Sequence, residues 1–176
     1  MLTSAPNDAR ARRKARRRER RAHADYTSGV YGSLLAASVV AGAGTLGSLP
    51  RLELVLLLLL SAVAFWVAHV HAQLFGARLA QRALDRSTVL HVCRDEWTIV
   101  KAALPPALAV AVSPLLGLDV SGAAWLALGV AVAGQVGWSV AAAQRAGASA
   151  RQTVLTASVN LVLGLLIVCF KLVLKH

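Results

Sequence analysis

The residues describe an all-α integral membrane protein: a helical bundle of about five transmembrane helices behind a disordered, basic N-terminal arm. Three features lead to that expectation. The 176-residue chain is 57% hydrophobic, with a mean hydropathy of +0.60, and only 15% of its residues are charged. An ordinary soluble domain carries roughly 25% charge, and could not hide this much apolar surface. Five apolar runs each approach or exceed the roughly 20 residues that a helix needs to cross a hydrocarbon core of about 30 Å. Finally, 19 Lys and Arg stand against 8 Asp and Glu, a net charge of +11, and the surplus sits ahead of or between the apolar runs.

Residues 1–25 hold nine of those cations between Arg10 and Arg21. They show no apolar periodicity and are expected to be disordered. Tyr26 closes the arm as an interfacial anchor. The first span is expected at 29–49, rich in Gly, Ala, Ser and Val, and is broken by Pro50 and Arg51. An Arg-rich start and the small residues Ala41, Gly42 and Ala43 fit a cleaved signal peptide loosely. Because the apolar run continues past that point, it reads as a retained span. The second, at 52–75, contains LVLLLLLSAVAFWVAHV and is the least ambiguous.

Residues 76–98 read as one amphipathic surface helix with Arg78, Arg82 and Arg86 at i, i+4 and i+8, placed to contact the phosphates of anionic lipids. The third span, 99–118, is interrupted by Pro105, Pro106 and Pro114 and is the one expected to be irregular. The fourth, 122–143, is almost entirely Ala, Val, Gly and Leu. A polar link at 144–152 leads to the fifth, 153–173.

With five spans, the arm, the 76–98 segment and the 144–152 link fall on one side with fifteen cations, while Arg51 and Lys175 fall on the other. The positive-inside rule then places the N-terminus in the cytoplasm. Lys171 and Lys175 pull weakly against this, which leaves a four-span arrangement with one re-entrant stretch open. The same distribution favours membrane placement over nucleic-acid binding as the meaning of the charge. Cys93 and Cys169 fall on opposite sides and read as free thiols.

Polar side chains inside spans are costly and therefore functional candidates. His69, Gln135 and Asn160 fall at similar depths, on the order of 10 Å below the cytoplasmic interface at 1.5 Å per residue, with Lys101 near them. One reading is a polar pocket or a proton or ion step built from His69, Gln135, Asn160 and Lys101. The blander one, which carries more weight, is interhelical hydrogen bonding worth about 0.6 kcal/mol per group. Trp66, His69 and Gln73 share a helix face, whereas His71 points about 200° from His69, so the pair does not suit one metal ion. No metal site, cofactor or catalytic set is expected: His91 and Cys93 are half a metal site, and Asp95 and Glu96 read as solvated surface acids beside Arg94. Gly129, Ala133, Gly137 and Ala141 form a small-residue ridge that lets a helix approach closely, either within the chain or in a homo-oligomer.

The runs YGSLLAASVV, FWVAHVHAQLFGARL, DEWTIVKAALPP and GLLIVCFKLVLKH, with the W-x-A-H-x-H-A element at Trp66–Ala72 as the most distinctive piece, resemble a family of small uncharacterised actinobacterial membrane proteins. The resemblance covers about residues 26–176 and implies a multi-span fold in a bacterial plasma membrane; it implies no activity. The expected function is a non-enzymatic envelope accessory or scaffold protein. The alternative is a small proton, ion or solute channel or transporter working through His69.

Overall fold

The computed structural model describes residues 26–43, 49–79 and 85–174, and every regular element among them is helical. Helix α1 covers 26–43. It is followed by α2 (Arg51–Leu79), α3 (Arg86–Glu96), α4 (Thr98–Val112), a 3-10 turn (Ser113–Leu116), α5 (Val120–Arg145) and α6 (Ala150–Leu174). Four stretches are long and apolar enough to cross a membrane: Arg51–Leu79, Arg86–Leu116, Val120–Arg145 and Ala150–Val173. The expected first span lies on α1, but residues 44–48 fall outside the described residues, as does the arm at 1–25.

Helix α1 packs into the middle of the bundle. Its Ala36, Ala37, Val40 and Ala43 join Leu54, Leu58 and Ala62 of α2, Ala103, Ala107 and Val110 of α4, and Ala123, Ala127, Leu128 and Ala131 of α5 in one buried cluster. Small residues permit this closeness. A Cβ on Gly32 would lie 2.8 Å from the carbonyl oxygen of Ile99, and one on Gly29 would meet the Trp138 ring at 2.5 Å. Helix α6 is peripheral: it lies along α5, where Gly164 admits Val132, and most of its apolar side chains point outward.

The helix ends follow local chemistry. Asp119 caps α5 by accepting the Gly122 N–H at 2.7 Å, and Gly117 precedes it in the left-handed conformation, φ 66°. At the start of α6, Ser149 and Gln152 cap each other reciprocally, satisfying two donors that the first turn leaves open. Arg51 opens α2 but reaches across to the end of the third stretch, donating to Ser113 Oγ at 3.2 Å and to the Leu118 carbonyl at 2.5 Å. There a cation meets the carbonyl end of a helix, its favourable place.

Two expectations about this region are corrected. The 76–98 segment is not one helix, since α2 continues to Leu79 and α3 starts afresh at an extended Asp85 (φ −82°, ψ 163°) whose carboxylate accepts the Thr88 N–H. Arg78 and Arg86 are exposed on different helices, and Arg82 lies outside the described residues. The third stretch is not broken at Pro105 and Pro106: α4 runs through both, and the irregularity comes at Ser113–Leu116. A proline needs only to lose the hydrogen bond to the carbonyl four residues back, and neighbours in a bundle absorb that loss.

Candidate functional site

The antiparallel helices give the bundle two ends. At the end that holds Tyr26 and Arg145, two helices converge on Glu96 at the end of α3. The Ser28 hydroxyl of α1 donates to Glu96 Oε2 at 2.7 Å, and His69 Nε2 of α2 lies 3.6 Å from the same oxygen. Glu96 is 7% exposed, whereas the His69 side chain is 39% exposed and opens to the surface. The Tyr31 ring packs against the imidazole, with centroids 5.6 Å apart.

An aromatic pair fixes the approach of α2 to the α3–α4 corner. Trp66 and Trp97 meet edge to face at 5.1 Å, and the Trp66 indole N–H donates to the Cys93 carbonyl at 3.0 Å. Trp97 keeps right-handed helical backbone angles between α3 and α4. The face of α4 that carries Ile99, Ala103 and Ala107 therefore extends backward onto Glu96.

This overturns the expectation that Glu96 is a solvated acid paired with Arg94; it is buried beneath Ser28 and His69. A legible signal did exist. Glu96, Ile99, Ala103, Pro106 and Val110 fall at intervals of three or four residues, the period of one helix face, and all five are buried. Asp95 does remain partly exposed, with His91 Nε2 at 3.4 Å from its carboxylate.

The expected polar layer divides. Gln135 and Asn160 do meet: the fully buried Gln135 donates through Nε2 to Asn160 Oδ1 at 3.4 Å, and Asn160 Nδ2 donates to the Thr156 carbonyl at 3.0 Å. Gln135 Oε1 is buried without a hydrogen-bond partner. His69 belongs instead to the Glu96 cluster, and Lys101 is exposed and joins neither group.

The small-residue ridge is also placed differently from its internal reading. Gly129, Ala133 and Gly137 are exposed and Ala141 is half-buried, and a Cβ on Gly129 or Gly137 would meet nothing within 4 Å. Helix α6 is received by Val132 and Gln135, on another side of α5. At the opposite end of the bundle Lys171 is 7% exposed, with its Nζ 4.7 Å from the centre of the Trp125 ring.

A lateral groove of about 500 Å³ runs between α1 and α6 over α5, lined by Tyr26, Val30, Leu34, Ala142, Ala146 and Leu163 among others. Arg145 stands at its mouth, its guanidinium 5.3 Å from the centre of the Tyr26 ring. Among the described residues no group of three or more His, Cys, Asp or Glu side chains is arranged to hold a metal ion, and both cysteines are free thiols. No protein-family model, curated protein or solved structure matches the chain.

Proposed function

We propose that the chain is a multi-pass protein of a bacterial plasma membrane, N-terminus inside, that acts as a non-enzymatic accessory or scaffold rather than as a conduit. One observation carries this reading. The buried Glu96 and Gln135 and the half-buried Asn160 lie toward the Arg145 end, while the buried Ser113 and Lys171 lie at the opposite end. Between the two ends the bundle is filled by Ala37, Val40, Leu54, Leu58, Val110, Ala127 and Leu128. Selective permeation needs a lining of carbonyls, charges or polar side chains, and this packing offers an apolar plug instead. Fifteen cations on one side of a five-span topology support the orientation. The exposed Arg78 and Arg86 suit contacts with anionic lipid, worth ≈ 1 kcal/mol per cation near the surface.

A second reading rests on the Glu96–His69 contact. An ionisable pair at the margin of membrane-spanning helices is a common component of proton relays, and here the imidazole links the buried carboxylate to the surface. Proton and small-ion flux into liposomes, comparing wild type with His69→Ala and Glu96→Gln, separates the two. Folded wild-type protein that passes no ions upholds the scaffold; flux that disappears in both variants replaces it with a channel or transporter. Reporter fusions at residue 147 and at the C-terminus, active on one side of the membrane only, test the orientation independently.

A further inference from the structure

We propose that the α1–α6 groove is a binding site for one anionic phospholipid, with an acyl chain lying along α5 and the phosphate held at Arg145. The inference rests on the chain lying in a membrane with its Arg145 end at a leaflet surface, which the reporter fusions test separately.

The groove is of the right size and orientation. Its volume of about 500 Å³ falls within the roughly 300–1,000 Å³ of small-molecule sites. It runs parallel to the helices, as a lipid chain does: Ser139 and Ala146, both on its floor, are roughly 10 Å apart at 1.5 Å per residue.

The deep part suits a hydrocarbon chain rather than a polar ligand. Its walls are Val30, Leu34, Ala142 and Leu163, and Ser139, Thr156 and Asn160 there each commit a donor within the protein. Ser139 Oγ donates to the Val136 carbonyl at 2.8 Å; Asn160 donates to Thr156 and accepts from Gln135.

The mouth has the opposite character. Arg145 is exposed, and its position over the Tyr26 ring orients the guanidinium by a cation–π contact while its N–H fork remains suited to phosphate. Ala148, two residues ahead of α6, lines the same mouth, so the positive end of that helix adds to the local field. An apolar slot between spanning helices with a cation at its surface end is the arrangement that retains anionic lipid, and it distinguishes this site from the dispersed contacts of Arg78 and Arg86.

Native mass spectrometry of the full chain, released from mixed micelles of phosphatidylglycerol and phosphatidylcholine, tests the site. Wild type is expected to retain one phosphatidylglycerol per chain saturably, preferred about fivefold over phosphatidylcholine, as loss of one surface cation implies. Arg145→Gln should abolish that preference, Lys101→Gln, at an exposed cation away from the groove lining, should leave it intact, and Ala142→Trp should reduce retention of both lipids by filling the groove. A wild type showing only graded, unsaturable adducts overturns the proposal. So does an Arg145→Gln protein, folded by circular dichroism, with the wild-type preference.

Discussion

Glu96 Oε2 lies 3.6 Å from His69 Nε2 while accepting the Ser28 hydroxyl at 2.7 Å, so a single carboxylate oxygen ties α1, α2 and the α3–α4 corner together. The two contacts differ in worth. The hydrogen bond from Ser28 is buried, whereas the imidazole is partly solvated and its attraction is screened.

Glu96→Ala is therefore expected to destabilise the bundle by about 1–3 kcal/mol, because it strands a buried hydroxyl. His69→Ala should cost less than about 1 kcal/mol. Denaturant titration of the detergent-purified variants measures both, and equal losses would contradict this division.

Gln135 and Asn160 should respond unequally to truncation. Gln135→Leu removes a long hydrogen bond but also a buried carbonyl that has no partner, leaving stability within about 1 kcal/mol of wild type. Asn160→Leu leaves the whole Gln135 amide unpaired and should cost about 1–3 kcal/mol. The same titration ranks them.

Glycines should divide by what surrounds them. Gly32→Ala drives a methyl against the Ile99 backbone, an overpacking expected to cost about 1–3 kcal/mol. Gly129→Ala and Gly137→Ala enter open space in the middle of α5 and should each stabilise it by roughly 0.5–1 kcal/mol. If Gly137→Ala instead weakens the fold or dissociates an oligomer in light scattering, the ridge is an interface.

Asp85 provides a pH dependence whose sign can be worked out. Hydrogen bonds from the Thr88 and Ser87 side chains, with the Thr88 backbone N–H, lower its pKa to about 2, against about 3.9 for an unperturbed aspartate. A depressed carboxylate contributes stability that is fully present above its unfolded pKa and lost as pH falls through the folded one. Amide protection in the first turn of α3, corrected for intrinsic exchange, should hold from pH 7 to about 4 and decline toward about pH 2. Asp85→Asn should retain the cap and remove that decline.

Much of the architecture follows from patterns within single segments. The lengths of the apolar runs located α2, α5 and α6 to within a few residues, because a run long and apolar enough to cross a hydrocarbon core satisfies its backbone only as one continuous helix. The pairing of Gln135 with Asn160 was accessible too, since antiparallel neighbours joined by a short link bring equal depths together. The break at Asp85 was obscured by arginines at helical spacing on both sides of it, a periodicity that a capping aspartate interrupts at little cost.

What the sequence by itself determined is thus the helical character of the chain, the approximate extents of α2, α5 and α6 and the uneven distribution of charge; the first two follow from local propensity and the length of the apolar runs. Only the tertiary structure decided that Glu96 lies beneath Ser28 and His69, that the glycine ridge of α5 faces outward, and that a groove opens beside Arg145. Those outcomes depend on how each helix is rotated about its own axis. On α5 two small-residue stripes compete, Ala123–Ala127–Ala131 and Gly129–Ala133–Gly137, and both would admit a neighbour. The choice falls to the side that lets Ser33 meet Gly134 and Trp138 cover Gly29, contacts between residues about a hundred positions apart.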